Sequence, residues 1–283
     1  MLIHRRAADA ARAWRRLALC ARISGKGWEL AMTETILYET RRHVGRLTLN
    51  NPEKHNSLGR CELDLIRKAL NRAAVDPDVR VLVVAGTGGK TFCAGASLPE
   101  LNNGEISGDD YQDMTDSIAA LGIPTICAIN GNVFGGGVEL ALSCDFRIGV
   151  EGTRMRVPAA AIGLCYPLRG IERFVEKLGV TMAMRVLVAA EIFSADEMLQ
   201  AGVLDHLVMP AQFNDTVDDF ASRIAGLAPL AVQAMKTVIK SACGGNIDRH
   251  DAAALAQRCS ESADLKEGFA ALAEKRPPVF RGA

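Results

Sequence analysis

An apolar run, a glycine triplet and a second apolar run follow one another in the stretch Ile129-Asn-Gly-Asn-Val-Phe-Gly-Gly-Gly-Val-Glu-Leu-Ala141. The run over residues 124–130 has the length of a buried strand, and Val138–Leu142 is typical of a helix. Glycines between them allow close approach of the backbone, and the first amides of a helix favour negative charge. The stretch therefore predicts a strand-to-helix turn that either packs tightly or binds negative charge.

A second stretch, Thr91-Phe-Cys-Ala-Gly-Ala-Ser-Leu98, has the same organisation one unit earlier. A buried strand ends, small residues follow, and Ser97-Leu-Pro-Glu100 matches a capping box, which predicts a helix just after Ala96. Such turns after consecutive parallel strands could face one point. Two backbone amides aimed at one oxygen form an oxyanion hole, so the pair of stretches is more informative than either alone.

Two nucleotide-binding motifs are excluded by their spacing. Gly86-Thr-Gly-Gly-Lys-Thr91 resembles the end of a phosphate-binding loop, but Val84 stands where that pattern needs glycine. The glycines of residues 131–137 do not have dinucleotide-binding spacing, and no acidic residue ends a strand about 20 residues later. The sequence therefore argues against a nicotinamide cofactor.

Strand and helix patterns alternate along the chain, which predicts an α/β fold with a parallel sheet and a helical C-terminal part. The expected strands are residues 35–39, 44–50, 79–85, 124–130 and 145–150. The expected helices are residues 58–75, 138–142, 211–227, 230–242 and 248–261, with a short helix after residue 96. Ser194-Ala-Asp-Glu197 is a second capping box, and residues 101–116 are expected to form a loop beside the substrate.

Composition narrows the class of protein. The 283 residues contain 33 Lys and Arg against 33 Asp and Glu, so no basic footprint for nucleic acid or a membrane surface exists. The sequence contains no run of 18 apolar residues, so it predicts no membrane-spanning helix. The eight cysteines form no CxxC pair and have no histidine at ligand spacing. They are interpreted as small buried side chains in a reducing compartment, with no metal site.

The first 31 residues differ from the rest, with seven Arg and Lys against Asp9 and Glu29. The missing apolar segment argues against a secretory signal, while the Arg-rich bias also fits a mitochondrial transit peptide. Trp28-Glu29 requires the codons TGG-GAR, a purine run two codons before Met32, as at a bacterial ribosome-binding site. Residues 1–31 are therefore expected to be a non-native or disordered extension, with the true start at Met32. Residues 33–207 would form the core and residues 208–283 a C-terminal helical region.

From about Thr35 to its end the chain resembles the crotonase (enoyl-CoA hydratase/isomerase) superfamily. Five motifs in the family's order carry the resemblance: Asn50-Asn-Pro-Glu-Lys-His-Asn-Ser-Leu58, residues 91–98, residues 129–141, Ser194-Ala-Asp-Glu-Met-Leu-Gln-Ala-Gly-Val203 and Glu274-Lys-Arg-Pro-Pro-Val-Phe-Arg-Gly282. The resemblance implies a spiral of ββα units with a helical C-terminal trimerisation region, assembled as a homotrimer or hexamer. It also implies a cytoplasmic bacterial enzyme acting on an acyl-CoA thioester, with coenzyme A as part of the substrate and no permanently bound cofactor.

The same resemblance implies roles for individual residues. The thioester oxygen would be held by the backbone amides of Ala96 and Gly136. The residues implied along the adenine and pantetheine path are Ala94, Ala96, Ser97 and Leu98. Lys54 would approach the CoA phosphates, unless it is only a solvated loop lysine.

Two positions depart from the family pattern. Family hydratases use two glutamates to activate one water. Glu139 matches the first, although it could also be a first-turn glutamate favoured by the helix dipole. The second position is Ala159, which cannot transfer a proton, so the chain is hydratase-like without the second carboxylate. Ser97 stands where the family usually has Asp.

Tyr166 suggests an alternative reaction. It stands where methylmalonyl-CoA decarboxylases of this superfamily carry a functional tyrosine, although a lone tyrosine can also be a packed aromatic. Three hypotheses therefore remain open: a hydratase-like enzyme, a decarboxylase-like enzyme that uses Tyr166, and a CoA-binding protein without turnover.

Overall fold

The structure, a computed structural model, describes residues 34–245 and 248–283. The predicted N-terminal extension and the start at Met32 lie outside the described residues. The strands within them are β1 (Ile36–Arg41), β2 (Val44–Leu49), β3 (Val81–Gly86), β4 (Thr91–Cys93), β5 (Thr125–Ile129), β6 (Asn132–Phe134), β7 (Phe146–Val150), β8 (Arg154–Arg156), β9 (Ile192–Ser194) and β10 (His206–Val208). They form two sheets, a six-stranded sheet of order β1-β2-β3-β5-β7-β10 and a four-stranded sheet of order β4-β6-β8-β9.

The helices lie between the strands and after them. They are α1 (Arg60–Val75), α2 (Leu98–Asn102), α3 (Gly108–Ala119), α4 (Gly136–Ser143), α5 (Leu168–Ala183), α6 (Ala195–Gln200), α7 (Phe213–Ala225), α8 (Pro229–Cys243), α9 (Arg249–Ser260) and α10 (Ala263–Glu274). Short 3-10 turns lie at Pro52–Lys54, Ala160–Ile162 and Pro210–Gln212, and a π-helical turn follows α5 at Met184–Val188. None of the helices in residues 34–245 and 248–283 is long and apolar enough to cross a bilayer.

The large sheet follows from the apolar patterns. The residues of β3 that precede Gly86 are all buried, and β3 pairs in parallel with β2 and β5, as a continuous apolar run predicts. β1 and β2 form an antiparallel hairpin, and burial in β2 alternates. One face of the sheet packs against α7 through Phe213, Val217 and Ala221. The predicted α/β class with C-terminal helices is confirmed.

The four-stranded sheet was missed by sequence analysis, and it changes the local prediction at the glycine triplet. β5 ends at Ile129, and the chain then adds the three-residue strand β6 before Gly135. The predicted strand-to-helix turn therefore contains a further short strand that the sequence pattern did not indicate. Three residues are too few to show a period of two, so β4, β6 and β8 leave no pattern in the sequence.

Helix boundaries bring further corrections. Much of the expected loop over residues 101–116 is helix α3, which Ser107 and Asp110 begin with a reciprocal capping box (Asp110 N–Ser107 Oγ 3.1 Å; Ser107 N–Asp110 Oδ2 2.8 Å). Ser97 precedes α2, but its side chain makes no cap bond. Glu100 instead accepts a hydrogen bond from the amide of Arg60 (2.8 Å), at the start of α1. The capping box predicted at Ser97 was therefore wrong.

The capping box predicted at Ser194 is confirmed, because the Ser194 hydroxyl accepts from the Glu197 amide (3.3 Å) and the Ser194 amide donates to Glu197 Oε2 (2.7 Å).

Cysteine burial agrees with the prediction only in part. The buried free thiols are Cys93, Cys127 and Cys144, whereas Cys165 and Cys243 are exposed. Cys165 lies in a loop and Cys243 is the last residue of α8.

Candidate active site

Three loops leave the small sheet at one edge. β4, β6 and β8 are adjacent and parallel, so the segments after them emerge together at the carboxyl ends of the strands. These segments are residues 94–97, 135–137 and 157–159. A hydrogen bond from the Gly135 amide to the Arg156 carbonyl (2.9 Å) joins the second segment to β8. The predicted convergence of the two small-residue turns therefore occurs, but on strands of the second sheet.

The first two segments touch through their glycines. A Cβ atom on Gly95 would lie 2.4 Å from the amide nitrogen of Gly136. Gly95 also has φ +85°, a backbone conformation that other residues rarely adopt. Glycine at this position is thus required both by the close approach and by the backbone geometry.

Among the described residues, no backbone carbonyl accepts from the amide of Ala96 or of Gly136. The Leu58 amide donates to the Gly95 carbonyl (2.8 Å), and the Ser97 amide donates to the Leu58 carbonyl (2.8 Å). Because backbone groups alternate in direction along an extended segment, the Ala96 N–H points away from Leu58. Gly136 begins α4, and the first amides of a helix have no partner within it. Two open donors therefore lie in contacting segments.

Glu139 is held by a buried polar network. Glu139 lies on the first turn of α4, and its side chain is only 3% exposed. Oε1 accepts from Gln112 Nε2 (2.9 Å) and from the Arg173 guanidinium (2.9 Å), and Thr115 Oγ1 lies 3.1 Å away. Arg173 also donates to Asp116. Among the described residues, nothing donates to the other oxygen of Glu139, so one oxygen is anchored and the second remains available.

Two opposing effects act on the pKa of Glu139. Burial raises the pKa of this carboxyl, and the charge of Arg173 opposes that rise without cancelling it. A glutamate explained by the helix dipole alone would lie at the surface, whereas Glu139 is buried and paired with an arginine. Gln112, Thr115 and Arg173 could not be identified from the sequence, because they lie on α3 and α5 and only the fold brings them to α4.

Tyr166 lies near the Glu139 carboxylate, two residues before α5, and Ala159 ends the third segment. Ala159 is 6% exposed, and its carbonyl accepts from the Leu164 amide (2.9 Å). A Cβ on Gly170 would lie 3.1 Å from the Tyr166 ring and 3.4 Å from the Glu139 carboxyl carbon. Burial, and then the charge of Glu139, raise the pKa of the phenol, which stays protonated. The Tyr166 ring also packs edge-on against Phe174.

The remaining predicted residues lie on two loops that reach the surface. The Ala94 amide donates to the carbonyl of His55 (3.0 Å), the residue after Lys54, so the two loops adjoin. Lys54 is exposed, Ser97 is partly exposed and Leu98 is 57% exposed. The exposure of this segment thus increases from Gly95 outward.

Comparison with known proteins identifies the family. A family model described as enoyl-CoA hydratase/isomerase matches residues 39–283. Crotonyl-CoA hydratase of Syntrophomonas wolfei is 32% identical over 257 residues, which cover 87% of this chain and 98% of that protein. (E)-benzylidenesuccinyl-CoA hydratase of Thauera aromatica is 32% identical over 256 residues, covering 88% and 99%. The chain belongs to the enoyl-CoA hydratase/isomerase family.

Solved structures agree with the predicted fold. An enoyl-CoA hydratase/carnithine racemase from Magnetospirillum magneticum superposes with a TM-score of 0.84 at 26% identity, covering 89% of this chain and 97% of that one. The crotonase fold expected from the five motifs is thereby confirmed.

Proposed function

We propose that the protein is an acyl-CoA enzyme of the hydratase type that stabilises the enolate of a thioester in a backbone oxyanion hole. The amides of Ala96 and Gly136 are the proposed donors to the thioester oxygen. The observation that carries the proposal is their placement, as open donors in two segments that touch at Gly95. Preorganised donors of this kind stabilise charge as it develops, and losing one typically costs roughly 10²–10³ in rate.

Coenzyme A is proposed to lie along residues 94–98, with Lys54 near its phosphates. Support comes from the increasing exposure of this segment toward Leu98 and from the contact between residue 94 and the loop that holds Lys54. Named hydratases of CoA thioesters among the relatives favour the same substrate class. A mass-spectrometric screen of purified protein against a panel of acyl-CoAs tests the proposal, and binding without conversion of any of them would favour a CoA-binding protein without turnover.

Hydration of crotonyl-CoA is expected to be slow, because Ala159 leaves Glu139 as the sole carboxylate proposed for proton transfer. A positioned general acid or base contributes about 10²–10⁴-fold. Ala159→Glu should therefore raise hydration, measured as loss of the enoyl absorbance.

Ala160→Glu is the matched control, since residue 160 is the exposed neighbour. A crotonyl-CoA rate in the natural protein equal to that of ordinary hydratases would contradict the argument.

Decarboxylation is a second candidate, favoured by the pairing of Glu139 with Arg173 (2.9 Å). This pairing offsets the charge that would otherwise repel a malonyl-type carboxylate. Breaking the bond to CO₂ leaves its electron pair on the thioester as an enolate, with no base required. Tyr166 would donate a hydrogen bond to the departing carboxylate.

Tyr166→Phe should then abolish release of CO₂ from methylmalonyl-CoA while acyl-CoA binding persists. If the natural protein decarboxylates no malonyl-type CoA, Tyr166 is a packing residue and the hydratase-type proposal stands alone.

A homotrimer or a dimer of trimers is proposed for the assembly. Apolar side chains remain exposed on the C-terminal helices of the chain. They include Met235, Ile239, Phe269 and Leu272. Covering such a surface requires a partner, and sedimentation equilibrium measures the number of copies.

A further inference from the structure

We propose, resting on the function proposed above, that the hydroxyl of Tyr111 is a third hydrogen-bond donor to the acyl thioester, beside the amide of Gly136. Tyr111 lies on α3, in the region expected to be a loop, and no sequence motif points to it. The proposal makes Tyr111 a catalytic residue whose hydroxyl touches the reacting group.

The Tyr111 hydroxyl is buried and has no strong hydrogen-bond partner in the described part of the chain. The residue is 4% exposed, and its hydroxyl oxygen makes no hydrogen bond to any described residue. The Cys93 sulfur is within reach of the phenol, but sulfur is only a weak acceptor, and this one already accepts from the Gly95 amide (3.3 Å). Buried hydroxyls normally have a partner, and leaving one unpaired is costly. An unpaired donor at the edge of an active site is satisfied when a ligand with an acceptor oxygen binds.

The position of the ring identifies where that acceptor would lie. A Cβ atom on Gly136 would lie 2.8 Å from the Tyr111 hydroxyl oxygen and 2.6 Å from the ring carbon that bears it. The hydroxyl thus lies against the residue whose amide is the proposed donor to the thioester oxygen. Absence of a side chain at Gly136 is what allows the phenol to approach this point.

Gln112, the residue after Tyr111 on α3, presents a further polar group near the proposed site. Gln112 donates its amide N–H to Glu139, and its carbonyl oxygen Oε1 is another buried atom that has no partner among residues 34–245 and 248–283. Consecutive residues of α3 therefore each present an unsatisfied polar atom near the network around Glu139. A fully apolar packing face would not contain two such atoms.

The phenol acts as a donor rather than as a base. Burial raises its pKa well above the ordinary tyrosine value, and the nearby Cys93 and Glu139 raise it further. The hydroxyl therefore keeps its proton over the working range of pH. A neutral donor gains strength as negative charge develops on the thioester oxygen, so its effect is larger on an enolate than on an uncharged ester.

Tyr111→Phe separates this role from simple packing, because it removes the hydroxyl and keeps the ring against Gly136. The variant should be at least as stable as the natural protein in thermal unfolding, since an unpaired buried hydroxyl is removed. Tyr38→Phe is the matched control, because Tyr38 lies on β1 and its hydroxyl accepts from Thr40 at an exposed position.

Binding of acetoacetyl-CoA and of free coenzyme A provides a readout that is independent of turnover. The enolate of a 3-oxoacyl thioester absorbs in the near ultraviolet, so titration reports both affinity and enolate content. The natural protein and Tyr38→Phe should prefer acetoacetyl-CoA over free coenzyme A. Tyr111→Phe should lose about 10- to 100-fold of that preference and part of the enolate band, with affinity for free coenzyme A unchanged.

Each contrary outcome has a distinct meaning. An unchanged preference and enolate band in Tyr111→Phe overturns the role of Tyr111 and leaves the proposed function intact. Failure of the natural protein to bind either compound overturns the proposed function and this inference with it. If Tyr111→Phe does not fold, ¹⁹F spectra of fluorotyrosine-labelled protein replace it. The Tyr111 signal must then move with acetoacetyl-CoA and not with free coenzyme A, and an unmoved signal overturns the proposal.

Discussion

Gly136→Val is expected to lower kcat/KM at least about 10²-fold on every acyl-CoA that the protein converts. A Cβ atom at this position would lie 2.6 Å from the ring of Tyr111, so that ring, or the start of α4, must move. The proposed donor amide and the Tyr111 hydroxyl would then lose their common geometry. Steady-state kinetics on the acyl-CoA identified by the screen measures the effect, and thermal unfolding should show a loss of about 1–3 kcal/mol from overpacking.

Gly122→Val is the matched control for this change. Gly122 lies in the turn before β5, its φ is not in the left-handed region, and an added Cβ would meet nothing within 4 Å. Activity in this variant should stay within a few-fold of normal. Near-normal activity in Gly136→Val itself would place the oxyanion site elsewhere.

The two glycine turns could be predicted from the sequence because their chemistry is local. A strand, small residues and a helix start follow one another along the chain, and both segments lie where that order requires. The strands beneath them could not be predicted. β4, β6 and β8 have three residues each, and their pairing depends on contacts with distant segments. The wrong prediction of a capping box at Ser97 and Glu100 has a similar cause, since the Glu100 carboxylate accepts from the amide of Arg60 at the start of α1.

The network around Glu139 is the part of the site that sequence patterns leave out. Arg173 is one of many charged residues on amphipathic helices, and nothing in its neighbours distinguishes it from a solvated arginine. Its guanidinium is buried only because the first turns of α5 approach α3 and α4. The start of helix α3 could have been predicted, because Ser107 and Asp110 have the spacing of a capping box.

Arg173→Met is expected to destabilise the protein by about 3–5 kcal/mol near neutral pH, because it leaves the buried carboxylate of Glu139 without its counter-charge. The Arg173 side chain is 10% exposed and that of Glu139 is 3% exposed, so water cannot replace the missing partner. Chemical denaturation measures the change. Arg169→Met is the matched control, since Arg169 pairs with Asp113 and Asp116 at the surface. Its loss should change stability very little, because exposed ion pairs contribute little to stability.

The pH dependence of Arg173→Met distinguishes a lost counter-charge from a lost packing contact. Burial already raises the pKa of Glu139, with Arg173 opposing the rise, so removal of Arg173 raises it further. A carboxyl with a raised pKa in the folded state binds a proton more tightly there than in the unfolded state. Stability then increases as pH falls through the window between the raised pKa and the ordinary glutamate value. The destabilisation of Arg173→Met should therefore shrink toward acid pH, whereas a packing defect would be independent of pH.

The pKa of Glu139 should affect activity in the opposite direction from stability: a fall in pH should lower kcat/KM, whereas it lessens the destabilisation of Arg173→Met. If Glu139 must be ionised to accept a proton, the acid limb of the pH profile of kcat/KM reports its pKa in the free enzyme. That limb should already lie above the ordinary glutamate range in the natural protein, because burial raises the pKa. It should move to higher pH in Arg173→Met and stay in place in Arg169→Met. An acid limb that does not move in Arg173→Met would mean that the titrating group is not Glu139, and that its network with Arg173 only supports the fold.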